Sequence, residues 1–172
     1  MLRIGHGYDV HKLVPDRPLI LGGVRIEHEY GLLGHSDADV LLHAVMDALL
    51  GALALGDIGA HFPPSDPKYK DADSGKLLKA VWQMVTDKGY QLVNLDATIV
   101  CEQPKLKPYI DAMRTSLASL LAADEQQISI KATTEEGLGV SGSGGITAHC
   151  VLLLSAKSGW AKKELDQNGL QI

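Results

Sequence analysis

Residues 36–55, SDADVLLHAVMDALLGALAL, carry the strongest secondary-structure signal of the chain and predict a long helix. Apolar side chains recur there at the helical period of about 3.6 residues, at Val40, Leu41, Ala44, Val45, Ala48 and Leu49. Ser36 and Asp37 are residue types that cap helices, so we expect the helix to begin beside them. The glycine-containing segment 56–59 is expected to end it.

Strand patterns flank this helix on both sides. Residues 3–14 alternate in character and are bounded by turns, so they predict a strand. Residues 19–21 and 24–26 predict a hairpin, because Gly22 and Gly23 supply the positive φ that a two-residue turn requires. Branched and apolar residues predict three later strands, at 91–101, 128–133 and 146–154.

Two further helices complete the pattern. Ser74 is expected to cap a helix that reaches about residue 88, and residues 107–123 show a second helical period. Residues 61–73, rich in Pro, Asp and Lys, predict a loop. Together the elements predict an α/β fold, an α+β sandwich in which about three helices cover one mixed sheet. We expect one domain over residues 1–156 and a polar tail over residues 157–172.

The composition limits the classes of partner. The chain has 172 residues, of which 45% are hydrophobic and 22% are charged, and this composition is typical of a globular protein. A net charge of −5 and only 5% aromatic residues argue against nucleic acid as a partner. No apolar run approaches the ~18 residues of a membrane helix, which argues against a membrane. Cys101 and Cys150 lie in apolar runs without a Cys-x-x-Cys pair, which favours free thiols and a cytoplasmic location.

Asp9, His11 and His43 form the first candidate site. Asp9 and His11 are two residues apart on a predicted strand, so their side chains share one face. His43 lies on the following helix. Three ligands of these types leave a fourth tetrahedral position open, as in catalytic zinc sites, and the same donors also accept Mn²⁺ or Fe²⁺. The alternatives are a hydrogen-bonded Asp–His surface pair and a histidine that belongs to the core.

The second candidate site is residues 34–39, GHSDAD, immediately before the long helix. Backbone N–H groups at a helix start, with His35 and Ser36 beside them, form a natural site for an anion. A plain helix cap explains Ser36 equally well. Asp39 precedes His43 by one helical turn and is a candidate to orient its second ring nitrogen, although an exposed pair with no such role fits the same spacing.

The third candidate site is residues 131–139, KATTEEGLG, where a strand ends in two hydroxyls, two carboxylates and a glycine-rich turn. Hydroxyl and backbone donors there are suited to a phosphate, and a carboxylate is suited to hold Mg²⁺ against it. The glycines do not fit the P-loop, because no Gly-Lys-Ser/Thr follows them. A capping box that opens a short helix is the alternative for Thr133–Glu136.

Five sequence blocks, in order, resemble the 2-C-methyl-D-erythritol 2,4-cyclodiphosphate synthase family. They are RIGHGYDVH at 3–11, GHSDADV at 34–40, ALGDIG at 54–59, EQPKL at 102–106 and KATTEEGLG at 131–139. The similarity runs from residue 1 to about residue 156 and is far more specific as a set than in any one block.

The resemblance implies an enzyme of the non-mevalonate route to isoprenoids. It would convert 4-diphosphocytidyl-2-C-methyl-D-erythritol 2-phosphate to the 2,4-cyclodiphosphate and release CMP, as a phosphorus–oxygen lyase. The family also implies a homotrimer with active sites between neighbouring subunits. Its cofactors would be one Zn²⁺ per site and a Mg²⁺ or Mn²⁺ that bridges the substrate diphosphate.

Site residues follow from the resemblance by motif position. Asp9, His11 and His43 would hold zinc, and Glu136 would hold Mg²⁺ or Mn²⁺. His35 and Thr134 would stabilise the transition state as the catalytic residues. The implied substrate contacts are Ser36, Asp57, Ile58, Gly59, Phe62, Ser65, Asp66, Cys101, Pro104, Lys105, Leu106, Lys107, Thr133, Val140 and Ser143.

The sequence departs from the family pattern in two places. Val140 and Ser143 stand where many relatives carry an aromatic and a basic residue, so we expect a weaker hold on the diphosphate or cytidine there. Pro64 replaces a residue that is often acidic, and it lies beside Ser65 and Asp66. Two other readings of the residues remain open: a zinc-dependent nucleotide phosphoesterase, and a non-catalytic nucleotide-binding trimer with a structural zinc.

Overall fold

The computed structural model describes residues 1–157, in which strands precede, separate and follow the helices. The strands are β1 (Leu2–Pro15), β2 (Leu19–Leu21), β3 (Val24–Ile26), β4 (Tyr30–Leu32), β5 (Tyr90–Val100), β6 (Ile128–Thr133) and β7 (Gly145–Ala156). The α-helices are α1 (Val40–Ala52), α2 (Ile58–His61), α3 (Ser74–Asp87) and α4 (Ile110–Leu120). Short 3₁₀ turns occupy Pro67–Tyr69, Lys107–Tyr109, Glu125–Gln127 and Ser141–Ser143.

Five strands form one mixed sheet in the order β4-β1-β7-β5-β6. All neighbours are antiparallel except β5 and β6, which run parallel. Strands β2 and β3 form a separate hairpin, and its two turn residues, Gly22 and Gly23, have φ of 61° and 74° as the sequence predicts. The predicted α/β domain with a mixed sheet and three long helices is therefore confirmed.

Helix α1 is the centre of the core. Every residue of α1 except Asp47 and Gly51 is buried, and the helix packs against β1, β7 and α3. Two glycines of β1 allow this close approach: a Cβ on Gly5 would lie 1.8 Å from the carbonyl oxygen of Ala48. A Cβ on Gly7 would lie 1.9 Å from the carbonyl oxygen of Ala44, so the helix backbone rests directly on the strand.

The opposite face of the sheet carries exposed apolar side chains. Successive residues of a strand point to opposite faces, so the neighbours of Gly5 and Gly7 in β1 point away from α1. Ile4 is 72% exposed, Tyr8 43% and Val10 42%. On the adjacent strand β7, Val151 is 48% exposed. Within residues 1–157, the helices thus leave this apolar face uncovered.

Two helix starts differ from the sequence-based expectation. Asp39 caps α1, because its carboxylate accepts the Leu42 N–H, and Ser36 and Asp37 lie before the cap. Asp73 caps α3 by accepting two backbone N–H groups, and Ser74 is the first helical residue. In both cases the residue immediately before the first helical residue is an aspartate, and its carboxylate takes the capping role.

Other elements were not predicted. Strand β4 is three residues long and pairs only with the end of β1, so it has too few residues to show a period. Helix α2 occupies four residues where the sequence predicts only the end of α1. The predicted third helix begins as a 3₁₀ turn at Lys107–Tyr109 and becomes α-helical at Ile110. Apart from Lys157, the predicted polar tail lies outside the described residues.

Asp39 also ties the hairpin to α1. Its carboxylate accepts the N–H groups of Gly22 at 2.9 Å and Gly23 at 2.7 Å, in addition to Leu42 at 3.1 Å. The side chain is fully buried. Burial raises the pKa of Asp39 to about 6, although these backbone N–H groups partly oppose the shift.

None of the helices within residues 1–157 combines the length and the apolar character that crossing a bilayer requires.

We predict that Gly7→Ala lowers the free energy of unfolding by about 3 kcal/mol, because the added methyl collides with the helix backbone. Gly51→Ala in α1 is the matched control. Its Cβ would find its nearest neighbour at 3.9 Å, so it should raise stability by up to about 1 kcal/mol through helix propensity. Urea unfolding of both variants measures the difference, and equal effects would contradict the close packing of α1 on β1.

We predict that Asp39→Asn changes the pH dependence of stability. The pKa of Asp39 is raised from 3.8 to about 6 in the folded protein, so the folded state binds this proton more tightly than the unfolded state. The stability that protonated Asp39 contributes is complete below about pH 4 and is lost as the pH rises through about 6. The unfolding free energy of the wild type, minus that of the variant, should therefore fall over this range in urea titrations. A difference that is independent of pH would show that Asp39 is not held in this way.

Candidate functional site

Strand β1 and helix α1 bring Asp9, His11 and His43 into one cluster. The Asp9 Oδ2 atom lies 3.0 Å from His11 Nε2 and 2.9 Å from His43 Nδ1. The two ring nitrogens lie 3.2 Å apart. Alternation along β1 points Asp9 and His11 to the helix side, as the sequence predicts, and the close packing of α1 supplies His43.

The second nitrogen of each imidazole has its own partner. His11 Nδ1 donates to the carbonyl oxygen of Leu33 at 2.8 Å. His43 Nε2 lies 3.0 Å from Ser74 Oγ and 3.2 Å from Ser36 Oγ. Because a carbonyl only accepts, His11 Nδ1 carries a proton, and in the neutral ring Nε2 directs its lone pair into the cluster. In the protonated ring Nε2 instead donates to Asp9.

The charge of the cluster favours binding of a cation. Burial opposes ionisation of Asp9, but the hydrogen bonds and charges of His11 and His43 outweigh it and hold its pKa below the ordinary value. Burial also lowers the pKa of His11, but the hydrogen bond and charge of Asp9 outweigh this effect and raise it above 6.5. A carboxylate kept ionised beside two imidazoles attracts a cation.

These donors fit a divalent metal. Ligand atoms that share a tetrahedral Zn²⁺ are about 3.3 Å apart, given Zn–N distances near 2.0–2.1 Å. The three donor atoms of the cluster are separated by 2.9 to 3.2 Å, so one ion could contact all three. Within residues 1–157, no other group of three or more metal-ligating side chains comes together, and no fourth ligand joins this one.

A cavity of about 240 Å³ opens beside the cluster. Five of the predicted substrate contacts and catalytic residues line it: His35, Ser36, Ile58, Gly59 and Phe62. The cavity is also lined by Pro64, which the sequence marked only as a departure from the family pattern, and by Met46, Tyr69 and Leu77, which it did not single out. Met46 and Leu77 lie in helices, where apolar residues are indistinguishable from core residues in the sequence.

Three other predicted contacts do not line this cavity. Asp57 caps α2 and accepts the Ala60 N–H at 2.9 Å. Asp66 caps the following 3₁₀ turn by accepting the Lys68 N–H, and Ser65 is exposed between them. Their roles toward a substrate remain predictions.

A second cavity, of about 680 Å³, lies where the parallel strands β5 and β6 end. Strand β5 leads into residues 101–107, and β6 ends at Thr133 and is followed by Thr134 and Glu136. These residues line the cavity, together with Ile110 and Ile130. The predicted nucleotide contacts lie here as a group: Cys101, Pro104, Lys105, Leu106, Lys107 and Thr133.

Thr134 and Glu136 stand together at the edge of this second cavity. The Thr134 hydroxyl donates to Glu136 Oε1 at 2.6 Å. Glu136 has a φ of 54°, and the Leu138 N–H donates to the carbonyl oxygen of Glu135 at 3.0 Å, which closes a turn over residues 135–138. The capping-box alternative for Thr133–Glu136 is therefore wrong, since a left-handed residue at this point directs the chain away from a helix.

Glu102 holds the glycine-rich loop against the second cavity. Its Oε1 accepts the Glu135 N–H at 2.8 Å and the Ser141 hydroxyl at 2.7 Å. The Ser141 hydrogen bond lowers the pKa of Glu102. Sequence reasoning missed this residue, because its partners are more than thirty positions away. Val140 and Ser143, two predicted contacts on the same loop, do not line the cavity.

The two cavities share no lining residue among residues 1–157. His35 lines the first cavity and Thr134 the second, and strands β7 and β5 lie between β1, which carries Asp9 and His11, and β6, which leads to Thr134. The described residues of one chain therefore do not bring the two predicted catalytic residues into one cavity. The same separation holds between Glu136 and the cluster of Asp9, His11 and His43.

The expectation that Asp39 orients His43 is wrong. Its carboxylate is occupied by the backbone N–H groups of Gly22, Gly23 and Leu42. The second nitrogen of His43 instead faces Ser74, which belongs to α3 and is remote in sequence. Spacing within one helix could not reveal a partner from another helix.

Comparison with known proteins gives consistent matches over nearly the whole described chain. A family model described as the YgbB family matches residues 2–155. The 2-C-methyl-D-erythritol 2,4-cyclodiphosphate synthase of Thermosynechococcus vestitus is 61% identical over 156 residues, which cover 90% of this chain and 97% of that protein. The synthase of the same name from Moorella thermoacetica is 62% identical over 154 residues, covering 89% and 94%. A solved structure of IspF from Plasmodium falciparum in complex with CDP is 34% identical with a TM-score of 0.81, covering 91% of this chain and 97% of that one.

We predict that His43→Ala abolishes tight binding of one Zn²⁺ per chain, because it removes one of three converging donors. Isothermal titration calorimetry of the metal-stripped protein measures this stoichiometry. His28→Ala, which changes a histidine outside the cluster, is the control and should bind Zn²⁺ as the wild type does. Undiminished binding by His43→Ala would exclude the cluster as the metal site.

Proposed function

Because the chain belongs to the YgbB family, we infer that it is a cyclodiphosphate synthase. It converts 4-diphosphocytidyl-2-C-methyl-D-erythritol 2-phosphate to 2-C-methyl-D-erythritol 2,4-cyclodiphosphate and releases CMP, in the non-mevalonate route to isoprenoids. The observation that carries this conclusion is the pair of complementary cavities. One has a metal-ligating cluster, and the other has hydroxyls and a carboxylate beside a nucleotide-sized space.

The reaction is an intramolecular phosphoryl transfer. An oxygen of the 2-phosphate forms a bond to the β-phosphorus while the bond from that phosphorus to the oxygen of CMP breaks. CMP leaves with the electron pair, and no water is consumed. The enzyme class is therefore a phosphorus–oxygen lyase, and no nucleophile of the protein is required.

Positioning is the main task of the residues. Attacking and attacked phosphates repel each other, and holding them in line contributes on the order of 7–11 kcal/mol to such reactions. His35 and Ser36, which line the cavity beside the metal cluster, would donate hydrogen bonds to the 2-phosphate. Thr133 and Thr134 would donate to the diphosphate, and residues 101–107 would enclose the cytidine in the second cavity.

Asp9, His11 and His43 would hold Zn²⁺. Glu136, which lines the second cavity, would hold Mg²⁺ or Mn²⁺, as the family resemblance implies. When bound, the two ions supply positive charge that offsets the repulsion between phosphates. A chain of net charge −5 has no general field that could do so.

The active site needs a second copy of the chain, and we propose the homotrimer implied by the family. A neighbouring subunit would bring its Thr134 and Glu136 to the metal cluster of the first. The uncovered apolar face of the sheet, which includes Ile4, Tyr8 and Val151, supports association, because exposed apolar patches of this kind mark interfaces.

The two alternative functions receive less support. A structural zinc requires four protein ligands, and the described residues supply three at this cluster. A phosphoesterase uses the same ligands, but its product would be linear. Identification of the product separates it from the synthase.

We also propose that the enzyme is cytoplasmic. Cys101 and Cys150 are both buried and unpaired. Burial raises the pKa of Cys101 to about 11 and that of Cys150 to about 12, so both thiols resist oxidation. Two free thiols are typical of a reducing compartment.

We predict that two inactive variants restore activity when their subunits are mixed. His43→Ala and Glu136→Gln each damage one cavity and leave the other intact. When the two variants are mixed in equal amounts, each site between subunits takes one cavity from each of two neighbouring chains. In about a quarter of these sites both cavities would be intact. CMP and cyclic diphosphate, measured by ³¹P NMR after joint unfolding and refolding, should therefore reappear.

The control is the same treatment of each variant alone, which should remain inactive. If the mixture also stayed inactive while wild-type protein recovered, the site would lie within a single chain. A linear phosphate product from the wild type would favour the phosphoesterase.

A further inference from the structure

We propose that Asp37 and Ser74 form a relay that fixes the tautomer of His43 for metal binding. The relay runs from the Asp37 carboxylate through the Ser74 hydroxyl to His43 Nε2. Both are positioning residues, since they act on the metal only through His43. The inference rests on the proposed metal site and deepens it.

The direction of each hydrogen bond follows from the chemistry of its members. An ionised carboxylate only accepts, so the Ser74 hydroxyl donates to Asp37 Oδ1, at 2.5 Å. The Ser74 N–H donates to Asp37 Oδ2 at 3.0 Å, so both carboxylate oxygens are engaged by one residue. Ser74 is fully buried and has its one hydroxyl proton committed.

The Ser74 hydroxyl proton, which is donated to Asp37, determines the tautomer of His43. Ser74 Oγ has only lone pairs left for His43 Nε2, which lies 3.0 Å away, so Nε2 must carry the proton. Ser36 Oγ, which accepts the Ala38 N–H, is a second acceptor for the same nitrogen at 3.2 Å. In the neutral ring, Nδ1 is then unprotonated, and its lone pair is available to a cation beside Asp9 and His11. Without a metal, the Asp9 carboxylate at 2.9 Å is a competing acceptor for a proton on Nδ1, and the relay opposes that tautomer.

Backbone pairing holds the relay in place. The Asp37 N–H donates to the carbonyl oxygen of Ala72 at 3.1 Å, and the Asp71 N–H donates to that of His35 at 2.8 Å. These bonds fix the segment before α1 against the start of α3. The relay is thus defined by the packing of two chain segments and not by two freely rotating side chains.

Asp37→Asn tests the direction of the hydrogen bond between residue 37 and the Ser74 hydroxyl, because the amide has the same shape as the carboxylate but can donate. The amide oxygen can still accept the Ser74 N–H, but the amide nitrogen then donates to Ser74 Oγ. The freed hydroxyl proton would point at His43 Nε2 and favour the tautomer with the proton on Nδ1, which blocks the metal. Ser74→Ala tests the same relay by removing the acceptor.

The experiment measures Zn²⁺ affinity by competition with a chromogenic chelator at pH 8, and the tautomer of His43 by ¹⁵N NMR of the metal-free protein. Both variants should bind Zn²⁺ about 10–100-fold more weakly than the wild type, as expected when a hydrogen-bond partner of a ligand is lost. In Asp37→Asn the spectrum should shift toward the Nδ1-protonated form. A merely structural role would leave the tautomer of His43 unchanged, so the spectrum separates the two.

Thr115→Ala is the matched control. The Thr115 hydroxyl donates to Glu125 Oε1 at 2.8 Å, a similar hydroxyl–carboxylate pair on the surface, and its loss should leave Zn²⁺ affinity unchanged. Affinity within twofold of the wild type in Asp37→Asn, with the tautomer retained, would overturn the relay. A wild type that binds no Zn²⁺ would instead overturn the proposed metal site itself.

Discussion

Direct contact between the backbone of α1 and two glycines of β1 is the constraint on which the site depends. Gly5 and Gly7 leave room for the helix carbonyls of Ala48 and Ala44, where any side chain would collide. This contact determines how far His43 lies from the strand that carries Asp9 and His11. A helix displaced by the width of one methyl group would separate the three donors, which lie about 3 Å apart.

Much of the fold could be predicted from periodicity. The long strands and helices contain enough residues to display a period of 2 or about 3.6, and the Gly22–Gly23 turn has few conformations open to it. Strand β4 and helix α2 were missed because three or four residues show no period. Helix starts were misplaced by one to three residues, because neighbouring Ser and Asp residues compete for the cap and tertiary geometry selects among them.

Residue spacing could predict the candidate site only where local order determines it, as for Asp9 and His11, which share a strand face by alternation. The grouping of residues 101–107 with Thr133 followed from the resemblance to the family, and the structure brings these segments to one cavity. The partner of His43 was assigned to Asp39, since spacing along one helix was the only available signal. Ser74 comes from another helix, and Glu102 reaches a loop far along the chain. Such contacts arise from packing and leave no spacing pattern in the sequence.

The separation of the two cavities has a thermodynamic consequence. If neither half performs the reaction alone, turnover per chain is not an intrinsic constant but follows the association equilibrium of the subunits. Specific activity would fall when the protein is diluted below the dissociation constant of the assembly. The steepness of its dependence on protein concentration would show how many chains separate. A substrate that binds to both subunits at once would stabilise their association, so adding substrate would shift the equilibrium away from separate subunits.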